Sequence, residues 1–278
     1  MKVVATIKDV RAARAALPSP VGFVPTMGYL HEGHLALVRA ARTQNQSVVV
    51  SIFVNPKQFG PNEDYASYPR DLDRDLRLLE QEAVDLVFAP SVEEMYPPGF
   101  STFVDVGPLG EILEGARRPG HFRGVATVVT RLFCLIQPDR AYFGQKDAQQ
   151  CVVIKKLVAD LGLPIEIVTV PTVREPDGLA MSSRNVYLDP EQRVAARVLS
   201  ASLRAAAEAY ERGERNAEAL RRLVSQIIAG EPRAQLDYVS VADAETLEEL
   251  STVDRPALIS LAAWIGRARL IDNIIVGR

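Results

Sequence analysis

Through roughly the first 170 residues, short apolar runs alternate with longer amphipathic stretches. The runs at 47–54 (Ser-Val-Val-Val-Ser-Ile-Phe-Val) and 84–89 (Val-Asp-Leu-Val-Phe-Ala) are apolar on both faces. Strands of a parallel sheet read this way when helices cover both sides. Further strands are predicted at 22–25, 140–144 and 165–170, with helices at 33–44, 69–83, 122–136 and 148–161 between them. The last helix stops at Gly162, with Pro164 beyond it. Strand and helix in alternation imply βαβ units and right-handed crossovers, hence an α/β fold with a doubly wound, mostly parallel, Rossmann-like sheet.

The pattern changes near Pro171. Asp189-Pro190 predicts an N-cap with proline at the first helical position. One long Ala- and Arg-rich helix is expected from there to about Arg212, stopping at Gly213, and a second over 217–229 between Asn216 and Gly230. Three strand-like runs follow at 236–241, 257–264 and 269–276, too close together for intervening helices and therefore antiparallel. The expected organisation is a domain of residues 1–172 and a smaller α+β domain of residues 173–278 that covers the site.

Composition narrows the class. The chain has 278 residues, 47% hydrophobic and 24% charged, the mix of a globular enzyme with room for a sizeable core. A net charge of −3 supplies no basic field for nucleic acid, and the arginines of 70–82 and 193–222 are interspersed with acids, as on a solvated face. Cys134 and Cys151 each lie in an apolar helical stretch and read as small core residues, too few for a disulfide framework. The chain has no apolar run of about 18 residues and no signal-peptide pattern at its start, so a cytoplasmic protein with no membrane partner is expected.

Five segments carry candidate chemistry. In Val24-Pro25-Thr26-Met27-Gly28-Tyr29-Leu30-His31-Glu32-Gly33-His34 a strand ends, a glycine turn follows and a helix starts, which points backbone N–H groups and a helix dipole at a prospective phosphate. His31 and His34, three apart, share the first turn of that helix. Phe53-Val-Asn55-Pro-Lys-Gln58-Phe directly follows a buried strand, and its neutral amides suit a carboxylate or hydroxyl. Leu113-Glu-Gly-Ala-Arg-Arg118-Pro-Gly-His121-Phe-Arg-Gly reads equally as a solvated loop or as an anion clamp. In Tyr142-Phe-Gly144-Gln-Lys146-Asp147-Ala-Gln-Gln150 a lysine stands at a helix start, where the dipole disfavours it unless an anion intervenes, while Asp147 can serve as the cap. Gly178-Leu-Ala-Met181-Ser182-Ser183-Arg184-Asn185 offers hydroxyls and a guanidinium to phosphate oxygens. The histidines His31, His34 and His121 could instead form a zinc site, although phosphate-binding features elsewhere leave a catalytic zinc without a role.

Taken together, the five segments resemble the pantothenate synthetase family, over nearly the whole first domain and the start of the second. His31-Glu-Gly-His34 is also similar to the HxGH signature of the wider nucleotidyltransferase superfamily, and Met181-Ser-Ser-Arg-Asn185 to the mobile loop of its synthetase relatives. The resemblance implies a ligase that activates pantoate with ATP as pantoyl-adenylate and joins it to β-alanine, releasing pyrophosphate and AMP. It implies an ATP site from Pro25, Thr26, Met27, Gly28, His31, His34, Gly144, Lys146, Asp147, Val173, Met181, Ser182, Ser183 and Arg184. Of these, His34, with His31, Lys146, Ser182, Ser183 and Arg184, would be catalytic. Met27, Asn55, Gln58, Arg118, His121 and Gln150 would meet pantoate or β-alanine. It further implies Mg²⁺ held near Asp73 or Asp75, which flank Arg74, and a homodimer. Another nucleotidyltransferase of the same fold and an ATP-binding regulatory protein without catalysis remain the alternatives.

Overall fold

The computed structural model describes residues 1–61 and 63–277; Arg278, the last residue of the expected second domain, lies outside them. The chain divides into two compact units, one of residues 1–144 and 153–171, the other of residues 145–152 and 172–278. The first unit is built on six parallel strands, β1 (Lys2–Val4), β2 (Val21–Thr26), β3 (Ser47–Ile52), β4 (Leu86–Phe88), β5 (Arg140–Gly144) and β6 (Glu166–Val170), in the order β1-β4-β3-β2-β5-β6.

The sheet is doubly wound, and side-chain alternation shows why. Val24, Val48, Val50, Val87 and Tyr142 point to one face and pack with Leu37, Val38 and Ala41 of the helix Glu32–Gln44 and Leu79 of the helix Leu72–Gln81. Phe23 and Phe143 point to the other, where both meet Phe133 of the helix His121–Ile136 edge-on at 6.4 and 6.5 Å. From β2 the chain winds outward through β3 and β4; β5 and β6 lie on the opposite side of β2. The connections after β2 and β5 therefore diverge, and that switch point at the carboxyl edge is where open α/β sheets bind ligands.

In the second unit β7 (Ala234–Asp243), β8 (Ala257–Ile265) and β9 (Ala268–Val276) form an antiparallel sheet in sequence order. The helix Ala217–Ala229 lays the i, i+4, i+8 stripe Leu220, Val224 and Ile228 into a core with Leu199 and Leu203 of the helix Arg197–Glu211 and with Val241, Ile259 and Leu261 of the sheet.

Three features depart from the sequence reading. The edge strand β1 and the helix Ile7–Ala15 were not predicted, because three residues are too few to show a period and the helix buries only Val10 and Ala13. The long second-unit helix is two, Pro190–Ala195 and Arg197–Glu211, joined at Ala196 by a tight i→i+3 turn in which Leu199 N donates to Ala196 O at 3.2 Å. Cys134 is exposed rather than core: it occupies the outward position of a helix whose Leu132, Phe133, Leu135 and Ile136 are buried. Cys151 is buried, and both thiols are free.

Candidate active site

The turn after β2 is wound left-handed at two successive residues, Gly28 (φ +83°) and Tyr29 (φ +51°). That conformation aims the N–H groups of Tyr29 and Leu30 at a single acceptor, the carboxylate of Asp75, at 2.7 Å each. A Cβ at position 28 would lie 3.0 Å from Ile52 Cγ2 and 3.1 Å from Asp75 Oδ2, so the space is tight, and the positive φ favours glycine. Thr26 closes the turn: its hydroxyl donates to Ser51 O (2.8 Å) and accepts from Gly28 N (3.2 Å). Pro25 is tolerated in a central strand because pairing of β2 with β5 ends at Phe23. Burial pushes the Asp75 carboxyl above its ordinary range, against the opposing pull of the two N–H groups and Arg74.

The helix Glu32–Gln44 then begins with a reciprocal cap made by both histidines. His31 Nδ1 accepts from Gly33 N at 3.2 Å, and His34 Nδ1 accepts from His31 N at 3.3 Å; the ring centroids are 4.1 Å apart. A neutral imidazole that accepts at Nδ1 carries its proton on Nε2. The cap thus fixes the tautomer of both rings and makes each Nε2 an N–H donor at the positive end of a 13-residue helix.

The segment after β3 is held against this turn. Gln58 Nε2 lies 3.2 Å from Met27 Sδ, and Gln58 Oε1 accepts from Asn55 Nδ2 at 3.0 Å. Asn55, 1% exposed, also donates to Gly124 O (3.1 Å) and accepts at Oδ1 from Lys57 N (3.2 Å) and from Tyr96 Oη (2.8 Å). Both donors and both acceptor positions of its amide have partners within the chain. Gly124 lets the helix His121–Ile136 pack on that segment, since a Cβ there would fall 2.1 Å from Lys57 O.

The Arg118–His121 segment is tied to the segment after β3 by hydrogen bonds. Arg118 Nε donates to Glu63 Oε1 at 3.0 Å, so its charge is matched within the chain. His121 Nδ1 donates to Gln58 O at 2.8 Å, and Nε2 accepts from Arg118 Nη1 at 3.0 Å. Burial and the Arg118 charge hold the His121 pKa down at about 4, so the ring is neutral near pH 7. Burial would raise the Glu63 carboxyl, but the hydrogen bond and charge of Arg118 outweigh it and the net shift is downward. With both His121 nitrogens committed, the three-histidine zinc reading fails; among the described residues no group of three or more His, Cys, Asp or Glu could hold a metal. Of the two carboxylates expected near Mg²⁺, Asp73 is exposed on the outside of its helix, whereas Asp75 lies at the turn with acceptor positions beyond its two N–H bonds. One carboxylate beside substrate phosphates is the kind of site Mg²⁺ uses.

In the second unit, residues 145–147 form a 3₁₀ turn ahead of the helix Ala148–Asp160, with Lys146 Nζ in a loose 3.4 Å ion pair with Asp147 and Gln150 half-buried in the first helical turn. Val173 and Met181 are joined by Met181 N donating to Val173 O at 3.0 Å, and Arg174 bridges to Ala180, making a short hairpin. Ser182 caps the 3₁₀ helix Ser183–Tyr187, its hydroxyl accepting from Arg184 N at 3.3 Å, and Ser183 is buried. Sequence reasoning missed Glu63 and Tyr96, and also Arg174, Asp272 and Asn273, whose one signal was a carboxylate and an amide inside the apolar run of β9.

Comparison with known proteins shows the family. Residues 2–275 match the family model described as pantoate-beta-alanine ligase. The chain is 64% identical over 276 residues to a pantothenate synthetase of Roseiflexus sp. (strain RS-1), covering 99% of each, and 64% identical over 274 residues to that of Chloroflexus aurantiacus (strain ATCC 29366 / DSM 635 / J-10-fl), covering 98% and 97%. A crystal structure of pantothenate synthetase from Thermus thermophilus matches with a TM-score of 0.96 at 55% identity, covering 100% of both chains. A pantoate-beta-alanine ligase from Francisella tularensis, solved with β-γ ATP and β-alanine, matches with a TM-score of 0.81 at 37% identity, covering 99% and 97%. With its strand–turn–helix histidine cap and a family match spanning nearly its whole length, the chain belongs to the pantoate–β-alanine ligase family.

Proposed function

We propose that this ligase makes pantothenate in two steps through a pantoyl-adenylate. The pantoate carboxylate attacks the α-phosphorus of ATP and displaces pyrophosphate; the β-alanine amine then attacks the acyl carbon, displaces AMP and loses a proton. The observation that carries the reading is the histidine cap, which leaves both His31 and His34 as Nε2–H donors at a helix N-terminus. The first step brings two anions together, and preorganised donors offset that repulsion without reorganising as charge develops.

In this reading Pro25, Thr26 and Gly28 shape the turn, Met27, His31 and His34 meet the nucleotide, and Gln58 meets pantoate and β-alanine. Gly144 at the end of β5, and Lys146, Asp147, Val173, Met181, Ser182, Ser183 and Arg184 in the second unit, serve ATP, and Gln150 serves pantoate. Asn55, Arg118 and His121 act by holding Gln58. Mg²⁺ would be held with the phosphates at Asp75 and would neutralise part of their charge. None of the described helices is long and apolar enough to cross a membrane. A homodimer is the assembly the family resemblance supports, and two cysteines without a disulfide framework suit the cytoplasm.

The test is exchange of labelled pyrophosphate into ATP with pantoate present and β-alanine absent. Exchange under those conditions, with AMP and pantothenate formed in step once β-alanine is added, is the expected result. A strict need for β-alanine, or formation of ADP and phosphate, would overturn the adenylate pathway.

A further inference from the structure

Between residues 270 and 276, β9 carries two polar side chains, Asp272 and Asn273, buried at 2% and 4% exposure among Leu, Ile and Val. An amide and a carboxylate are costly there unless fully partnered. Asn273 Nδ2 donates to two successive carbonyls, Gln145 O (3.0 Å) and Lys146 O (2.9 Å), and Asn273 Oδ1 accepts from Gln145 Nε2 (3.1 Å). Asp272 takes Arg174 as a fork, at 2.7 and 2.9 Å, and Arg174 also donates to Gly178 O at 3.1 Å. One dipeptide thus fastens both the turn that carries Lys146 and the base of the 178–185 loop.

We propose that Asn273 is a positioning residue for the ligase reaction, fixing the 145–147 turn and through it Lys146, while Asp272 fixes the neighbouring loop through Arg174. Without the Asn273 bonds the turn keeps its covalent place but loses its set orientation, and misplacing a donor by about an ångström costs on the order of 10²-fold in rate. The proposal rests on the reading of Lys146 as a phosphate-binding group.

The experiment is a double-mutant cycle on pantoate-dependent pyrophosphate exchange. Lys146→Ala is expected to slow exchange by roughly 10²–10³-fold, and Asn273→Ala by roughly 10- to 100-fold, in a protein that remains folded. If Asn273 acts through Lys146, the double variant is no slower than Lys146→Ala alone to within about 2-fold, because groups acting as a unit are not additive. Should Asn273→Ala not fold, Asn273→Ser, which can donate to one carbonyl only, takes its place in the cycle. Multiplying effects, or full activity in the Asn273 variant beside a slow Lys146→Ala, would overturn the proposal alone. Full activity in Lys146→Ala would overturn the role of Lys146 and the proposal with it.

Discussion

Asp75 and Leu30, 45 residues apart, are joined by a 2.7 Å bond from the Leu30 backbone N–H to a carboxylate oxygen, with the neighbouring Tyr29 N–H on the other oxygen. A left-handed turn that presents consecutive N–H groups is a binding place for an anion. Here the chain fills it with its own buried carboxylate, and the turn that carries Met27 and leads to His31 is thereby set before any ligand arrives. The same geometry makes position 28 the most constrained in the turn.

Gly28→Ala is expected to destabilise the fold by roughly 1–2 kcal/mol from the left-handed backbone alone, and further through the 3.0 and 3.1 Å approaches to Ile52 and Asp75. Urea denaturation measures the first effect. A raised KM for ATP in the folded fraction would show that the turn itself has shifted.

The histidine cap separates stability from chemistry. Asparagine is among the best N-cap residues, so His31→Asn should keep stability within about 0.5 kcal/mol. It removes the Nε2–H donor, and loss of one such donor should slow pyrophosphate exchange by roughly 10²–10³-fold. Near-normal exchange would mean that His31 serves the helix alone.

His121 gives the stability a pH dependence. The unfolded ring takes up its proton near the ordinary histidine value of about 6.5, the folded ring only near 4. The unfolded state therefore binds more protons in between: this contribution is whole above pH 6.5 and declines as pH falls through the window to about 4. The difference is on the order of 3 kcal/mol. His121→Gln should lack this segment of the pH–stability curve, and denaturant midpoints of both proteins between pH 4 and 7 check it.

At Gly124 a methyl group would lie 2.1 Å from Lys57 O and 2.7 Å from Gln58 Cα, both backbone atoms that cannot rotate away. Gly124→Ala should cost about 1–3 kcal/mol or more through overpacking. By displacing Gln58 it should raise the KM for pantoate more than that for ATP. Equal changes in the two would argue against Gln58 at the pantoate end.

What the sequence determined by itself was local and periodic. Apolar runs closed on both faces announced the inner strands β3 and β4, and the i, i+4 stripe over 217–229 announced its helix, because side-chain period and backbone geometry are linked residue by residue. The strand–glycine–helix order at 24–34 disclosed the turn and the helix start for the same reason. Tertiary structure decided everything that depends on which distant polar group arrives. That Arg118 pairs with Glu63, and that Asn55 is bonded by Tyr96 and Gly124, could not be read along the chain. Asp75 could not be told from Asp73 until one faced the turn and the other solvent. A hydrogen-bonding side chain carries no mark of its partner along the chain; the partner is chosen by folding, which brought Asn273 to Lys146 across 127 residues.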